Sequence, residues 1–235
     1  MSSRGVVAEV GAIIASAGAG ARMGGADKLF APLAGRPLLA WTLAAFQECP
    51  SVDRIVLVLS TANLERGQRL VEDEGFHKVG AVCAGGPRRQ DSVRLGLEAL
   101  GPCEWVLVHD GARPLVTTAL IERGLAAARE TGAAVAAVPI ADTVKQTGPE
   151  GTVEQTLDRS RLWAVQTPQV FRYDLLLRAH GEVTADPSAG LRAGFTDDAA
   201  MLEALGLPVK LYPGSPLNIK VTTVEDLRLA EALLE

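Results

Sequence analysis

Two cations, Arg22 and Lys28, stand in a glycine-rich run, Ala15-Ser16-Ala17-Gly18-Ala19-Gly20-Ala21-Arg22-Met23-Gly24-Gly25-Ala26-Asp27-Lys28. Glycine, lacking a Cβ, lets backbone N–H groups approach a bulky anion and admits positive φ. A guanidinium and an ammonium fixed in the same run would neutralise several negative charges. The chemistry that suits this combination is the holding of a polyphosphate and the stabilisation of charge during its transfer. Two familiar phosphate motifs do not fit. A P-loop sets Gly-Lys-Ser/Thr at a helix start, whereas Lys28 precedes Leu29-Phe30. A dinucleotide-binding turn uses glycines with an acid about 20 residues on; Glu48 falls near that spacing, but such a turn has no use for the Arg22 and Lys28 pair. A tight turn without a ligand is the plain alternative.

Three further groups carry charge or hydroxyls at places where chemistry is conceivable. Asp110-Gly111-Ala112-Arg113-Pro114 sets an acid and a base three residues apart. It reads either as a local ion pair in a turn or as a carboxylate that helps hold a cation beside phosphates, with an arginine for a second substrate. Ser92, with Asp91, either caps a helix from Val93 or touches a ligand. Lys220 sits at the end of an apolar run, where an unpaired lysine is rare, so it reaches an anion or a partner carboxylate. By contrast Cys49, Cys83 and Cys103 are odd in number and lack metal-ligand spacing, which fits reduced core thiols, and His77, His109 and His180 are too scattered for a zinc site.

The elements that must position these groups follow from periodicity. Residues 10–14 read as a buried strand before the glycine run and residues 38–46 as a helix after it. Strands are expected at 54–60, 78–84 and 105–109, the first a continuous apolar run of the kind buried on both faces of a parallel sheet and the last another buried strand, with helices at 64–74 and 90–100 between them. This alternation predicts right-handed crossovers and an α/β fold with a doubly wound, mostly parallel sheet. Ligands of such sheets lie beyond the carboxyl ends of the strands, so the runs 18–28, 85–92 and 110–114 are expected along one rim.

From Pro139 the pattern changes. Residues 140–145 and 153–157 flank Gly148-Pro149-Glu150-Gly151, the turn of a hairpin projecting from the sheet. An isolated hairpin is marginal in water, so residues 139–160 are expected to form a β-arm packed on a second subunit. Its polar residues Thr143, Lys145, Asp158, Arg159 and Arg161 read as a solvated face or as part of a composite site. Beyond the arm, a short helix is expected at 173–179, a loose connection at 181–194, a helix capped by Thr196, strands at 209–212 and 218–221, and a last helix opened by Thr223-Val224-Glu225-Asp226.

At 235 residues with 48% hydrophobic and 22% charged content, the chain can bury one core, and one domain over 1–235 is expected. A net charge of −5 argues against nonspecific nucleic-acid binding. No apolar run approaches the ~20 residues of a membrane span. Residues Met1-Ser2-Ser3-Arg4-Gly5 lack a signal-peptide profile, and a cytoplasmic location is expected.

Taken together, AGAGARMGG with Lys28, GGPRRQDSV, VLVHDGARP, DTVKQT, TLDRSRLWAVQTPQ, TDDA and NIKVTTVEDL resemble the 2-C-methyl-D-erythritol 4-phosphate cytidylyltransferase family of the non-mevalonate isoprenoid pathway, in order over nearly the whole chain. The resemblance implies a Rossmann-like (GT-A-like) nucleotidyltransferase fold. It also implies transfer of CMP from CTP to the polyol phosphate, with magnesium on the triphosphate, in a homodimer whose arms exchange. Carried over, it implies that Arg22 and Lys28 stabilise the transition state. Ser16, Ala17, Gly18, Gly20, Gly86, Ser92 and Asp110 would surround CTP. Asp110, Arg113, Thr196 and Lys220 would face the polyol phosphate, with Thr143 and Arg159 coming from the partner's arm. Asp110 would be the protein's contact to the metal, which the triphosphate mainly holds. Ser16 replaces the family's usual alanine, Ala15 its proline, Leu29-Phe30 a Gln-aromatic pair, and Pro87 and Leu217 acids. A cytidylyltransferase for ribitol or glycerol phosphate, a noncatalytic nucleotide-binding module and, more distantly, a dehydrogenase are the alternatives. Retention of both Arg22 and Lys28 speaks against the module.

Overall fold

The run VGAIIAS is the middle of the molecule because it is flanked by strands on both edges and by helices on both faces. The computed structural model describes residues 10–18, 28–185 and 195–234. In chain order the elements are β1 (Val10–Ser16), β2 (Pro32–Leu33), β3 (Arg36–Pro37), α1 (Leu38–Glu48), β4 (Arg54–Leu59), α2 (Leu64–Asp73), β5 (Val79–Ala84), α3 (Arg89–Leu100) and β6 (Trp105–Asp110). There follow α4 (Thr118–Thr131), β7 (Ala133–Pro139), β8 (Lys145–Thr147), β9 (Val153–Thr156), β10 (Trp163–Arg172), α5 (Tyr173–Ala185), α6 (Ala199–Ala204), β11 (Lys210–Pro213) and α7 (Val224–Ala232).

Seven strands form one sheet in the order β11-β7-β10-β6-β1-β4-β5. β1 runs parallel to β4 and β6, with Ile14 opposite Leu57 and His109, and β4 runs parallel to β5. β10 is antiparallel to both β6 and β7, which makes the sheet mostly parallel, as expected. Alternate residues of β1 feed two cores. Ala12 and Ile14 pack with Leu39, Leu43 and Phe46 of α1, whereas Ile13 packs with Val93 and Leu97 of α3. Each fully buried Val, Ile, Leu or Phe side chain among these contributes about 1.5–3 kcal/mol of transfer free energy. α3 lies close to the sheet at Gly96, where a Cβ would stand 2.7 Å from Ile13 Cγ2 and 3.0 Å from Val58 Cγ2. That close approach fixes where the first turn of α3, and with it Ser92, meets the rim.

Several elements differ from the sequence expectation. The short helix expected at 173–179 continues through Gly181 to Ala185, because Leu176, Ala179 and His180 bury one face and Arg178 pairs with Glu182 one turn on; the remainder of the expected loose connection lies outside the described residues. Residues 218–221 are not a strand. They cross the strand ends as irregular chain, and their backbone is satisfied by loop partners, Val221 N–H donating to the Ala112 carbonyl at 2.8 Å. Thr196 is not the cap of α6: Asp198 occupies that position, the Asp197 carboxylate accepts the Ala200 N–H at 3.0 Å, and Thr196 is exposed. α3 begins at Arg89, ahead of the cap position considered for Ser92. Of the paired arm strands, β8 falls later than the expected 140–145 and shares only Lys145 with it, and β9 ends one residue short of the expected 153–157. Five of these elements, β2, β3, α4, β7 and β10, have no counterpart in the sequence reading. Among the described residues no helix is long and apolar enough to cross a membrane.

Candidate active site

The carboxyl ends of β1, β5 and β6 open on one cleft of about 690 Å³. Residues 15–18 form one wall and Gly86 to Ser92 another, and Asp110, Lys28 and Lys220 stand between them. Two of the three runs expected along the rim meet there, the 85–92 and 110–114 turns, together with the described ends of the glycine run. Ser16, Ala17, Gly18, Lys28, Gly86, Ser92, Asp110 and Lys220 all line the cleft. Gly20 and Arg22 lie outside the described residues.

The 85–92 turn is shaped by close approach. A Cβ on Gly85 would stand 2.3 Å from Ala17 Cβ and 2.6 Å from Ser92 Oγ, so only glycine lets the turn fold against β1. The buried Ser92 hydroxyl accepts the Gly86 N–H at 3.2 Å and donates to the Gly86 or Arg88 carbonyl, tying the turn to the first turn of α3. Asp91 accepts the Arg88 N–H and pairs with the Arg88 guanidinium at 2.8 Å. Helix start and ligand wall are therefore one structure, and the two readings of Ser92 do not exclude each other.

Asp110 is the electrostatic centre. It ends β6, its backbone N–H donates to Thr167 Oγ1 at 3.0 Å, and its buried carboxylate faces three cations. Oδ2 is 2.9 Å from Lys220 Nζ and 3.4 Å from Arg113 Nε, and Oδ1 is 3.6 Å from Arg89 Nε. Burial alone pushes the carboxyl up, but Lys220, Arg89 and Arg113 outweigh it and hold the group well below the usual carboxylate range. The two arginines respond in opposite directions. Burial drives Arg113 down, and Asp110 offsets it only in part; burial also lowers Arg89, but there Asp198 and Asp110 together overcome it and its value is raised.

The remaining polar groups set this centre in place. Arg113 does not line the cleft. Its Nη1 donates to the Asn218 carbonyl at 2.7 Å, and Asn218 Nδ2 donates to the Thr167 carbonyl at 2.8 Å. The irregular run that carries Lys220 is thereby pinned to the turn after β6 and to β10. Lys28 Nζ donates to the Val221 carbonyl at 3.0 Å in the same run. His109, wholly buried behind Asp110, shares a hydrogen bond with Thr167 Oγ1 at 3.0 Å, and burial holds its pKa down at about 3, so it stays neutral.

Sequence reasoning missed four members of this system: Arg89, Asn218, Thr167 and Asp198. All four lie in the quoted motifs GGPRRQDSV, NIKVTTVEDL, TPQ and TDDA, so the signal was present but carried no role. The described structure does not bring Thr143, Arg159 or Thr196 into the cleft. Thr143 and Arg159 lie exposed on the arm, and the Arg159 guanidinium donates to the Ala141 carbonyl.

Among the described residues no three His, Cys, Asp or Glu side chains come together as a metal site. Asp110 is the one carboxylate among the described residues lining the cleft. A single carboxylate fits a hard cation that arrives mainly coordinated by phosphate oxygens, not one caged by protein. Of its two oxygens, Oδ1 is the less engaged.

A profile of the IspD family, 2-C-methyl-D-erythritol 4-phosphate cytidylyltransferase, matches residues 10–235. The chain belongs to this family. A 2-C-methyl-D-erythritol 4-phosphate cytidylyltransferase of Dehalococcoides mccartyi is 53% identical over 227 residues, covering 97% of this chain and 96% of the relative. The crystal structure of the 4-diphosphocytidyl-2C-methyl-D-erythritol synthase of Anaerococcus prevotii is 30% identical, with a TM-score of 0.83 over 96% of this chain and 98% of that one. That of the Thermus thermophilus cytidylyltransferase is 37% identical, with a TM-score of 0.77 and the same coverage. As an IspD family member the chain is a nucleotidyltransferase.

Proposed function

We infer that this protein transfers the cytidylyl group of CTP to 2-C-methyl-D-erythritol 4-phosphate, giving 4-diphosphocytidyl-2-C-methyl-D-erythritol and pyrophosphate. The observation that carries the reading is the constellation of Lys28, Lys220 and the buried Asp110 carboxylate around one cleft, in a chain that matches the family from residue 10 to its end.

The chemistry asks for little beyond placement and positive charge. An acceptor phosphate with a second pKa of about 6 is already largely ionised at neutral pH. Its oxygen attacks the α-phosphorus, the α–β bridging P–O bond breaks, and pyrophosphate departs with the bond electrons, so no protein base is required. Lys28, with Arg22 in the glycine run, stabilises the charge that builds on the α-phosphoryl oxygens and the leaving group. Ser16, Ala17, Gly18 and Gly20 of the same run, with Gly86 and Ser92 of the 85–92 turn, hold the nucleoside side of CTP, and Lys220 faces the acceptor phosphate. Arg113 acts by pinning the Asn218 carbonyl, and so the run that carries Lys220. Asp110, the carboxylate lining the cleft among the described residues, would hold a magnesium ion arriving on the triphosphate, and that ion would supply charge neutralisation.

The arm completes the site in a homodimer. Every residue of β8 and β9 is exposed, and Val153 within β9 and Trp163 and Val165 at the start of β10 leave large apolar surface open, at 54%, 42% and 45% exposure. A two-stranded hairpin in that state calls for a partner surface, and exchange of arms would deliver Thr143 and Arg159 to the other subunit's cleft. The reaction is placed in the cytoplasm, where CTP is available. The test of the reading is product identity: with CTP and 2-C-methyl-D-erythritol 4-phosphate, mass spectrometry should find the diphosphocytidyl product. A product found only with ribitol or glycerol phosphate would assign another acceptor.

A further inference from the structure

Arg89 occupies a position the transfer chemistry does not require. Its guanidinium reaches Asp198 Oδ2 through Nη1 at 2.5 Å and Asp110 Oδ1 through Nε at 3.6 Å. Asp198 is wholly buried, and its other oxygen, Oδ1, accepts no hydrogen bond from the described residues and lies 3.8 Å from His180 Nε2. Asp198 sits two residues from Thr196, and its neighbour Asp197 is tied to β10 by the Gln169 side chain at 2.8 Å. One side chain therefore links three places: the first turn of α3 in the nucleotide wall, the carboxylate that pairs with Lys220, and the 196–198 segment that leads into α6. The planar fork of arginine can engage two carboxylates at once, whereas a lysine ammonium on a flexible stem holds no such geometry.

We propose that Arg89 is a positioning residue for the acceptor half of the site, holding Asp110, and through it Lys220, in register with the 196–198 segment through its pair with Asp198. The proposal rests on the cytidylyltransferase reading above. The nucleotide wall does not depend on this pair, since the Gly86 and Ser92 contacts close on themselves. Arg89 itself lines the cleft and Asp110 faces the triphosphate's metal, so loss of the pair should weaken the acceptor more than CTP. A purely architectural ion pair would instead lower thermal stability without separating the two substrates.

The experiment is steady-state kinetics of pyrophosphate release, varying each substrate in turn, with the wild type, Arg89→Lys and the double variant Arg89→Gln/Asp198→Asn. The double variant removes both charges and so strands neither in the interior. The expected result is a KM for the polyol phosphate raised about 10-fold or more in the double variant and by a smaller factor in Arg89→Lys, with the KM for CTP within about 3-fold of wild type. If the double variant does not fold, Arg89→Lys, which keeps the cation, decides the matter. Equal shifts in both KM values, or no shift in a folded variant, overturns the proposal. Absence of turnover in the wild type instead overturns the cytidylyltransferase reading, so the two failures are told apart.

Discussion

Replacing Asp110 by asparagine should both disable the site and destabilise the fold. The substitution keeps the shape and removes the charge that three cations face. Lys220 is 43% exposed at its side chain, so water would absorb most of its loss. Arg89 retains Asp198. Arg113, with only 11% of its side chain exposed, keeps the Asn218 carbonyl but loses its counter-charge. Breaking a buried pair by removing one partner costs about 3–5 kcal/mol, and with one cation of three stranded the lower end applies, about 3 kcal/mol. For a chain of this size that is a fall in Tm of roughly 6–12 °C, measurable by calorimetry or urea unfolding. The sign with pH follows from the depressed Asp110 value. Its stabilisation is present above the ordinary carboxylate pKa and is lost as pH falls toward the folded value. The gap between wild type and Asp110→Asn should be full at pH 7 and should narrow by about 1 kcal/mol between pH 5 and pH 3. A Tm within 2 °C of wild type at pH 7, or a gap that does not narrow in acid, would refute the reasoning.

Two further outcomes test the charge clamp and the arm. Lys28→Ala should lower kcat by roughly 10²-fold, as removal of a transition-state charge donor does; a change confined to KM would make Lys28 a binding residue. Arg159→Ala and Lys220→Ala should each be inactive alone, yet equal amounts refolded together should recover about a quarter of the wild-type rate. In a two-fold dimer half the pairs are mixed, and each mixed pair has one intact site. No recovery, or an active Arg159→Ala, would place the arm outside the site.

How far the chain could be read before its structure was known depended on where each residue's partner lies. Buried parallel strands announce themselves: RIVLVL and WVLVH are continuous apolar runs that suit no other element. β10 does not, because its sequence WAVQTPQVFR contains polar residues buried by tertiary partners, Gln166 against Ser215 and Thr167 against His109. The run at 218–221 misled in the opposite direction. Its alternating apolar residues suggest a strand, but its backbone partners sit on a loop, and no ladder forms. At the site, glycine and charge spacing pointed to an anion and to the rim where it binds. The role of Arg113 as a pin and the existence of the Arg89–Asp198 pair depend on contacts across 105 and 109 residues, which no local pattern encodes.

The central claim is that this cleft joins CTP to a methylerythritol phosphate. The most direct test is the rate of pyrophosphate release by the wild-type protein, with CTP, UTP, ATP and GTP each paired with 2-C-methyl-D-erythritol, ribitol and glycerol phosphates in the presence of magnesium. The account predicts that CTP with 2-C-methyl-D-erythritol 4-phosphate exceeds every other combination. Faster release with another nucleotide or another acceptor, or no release with any pair, would contradict it.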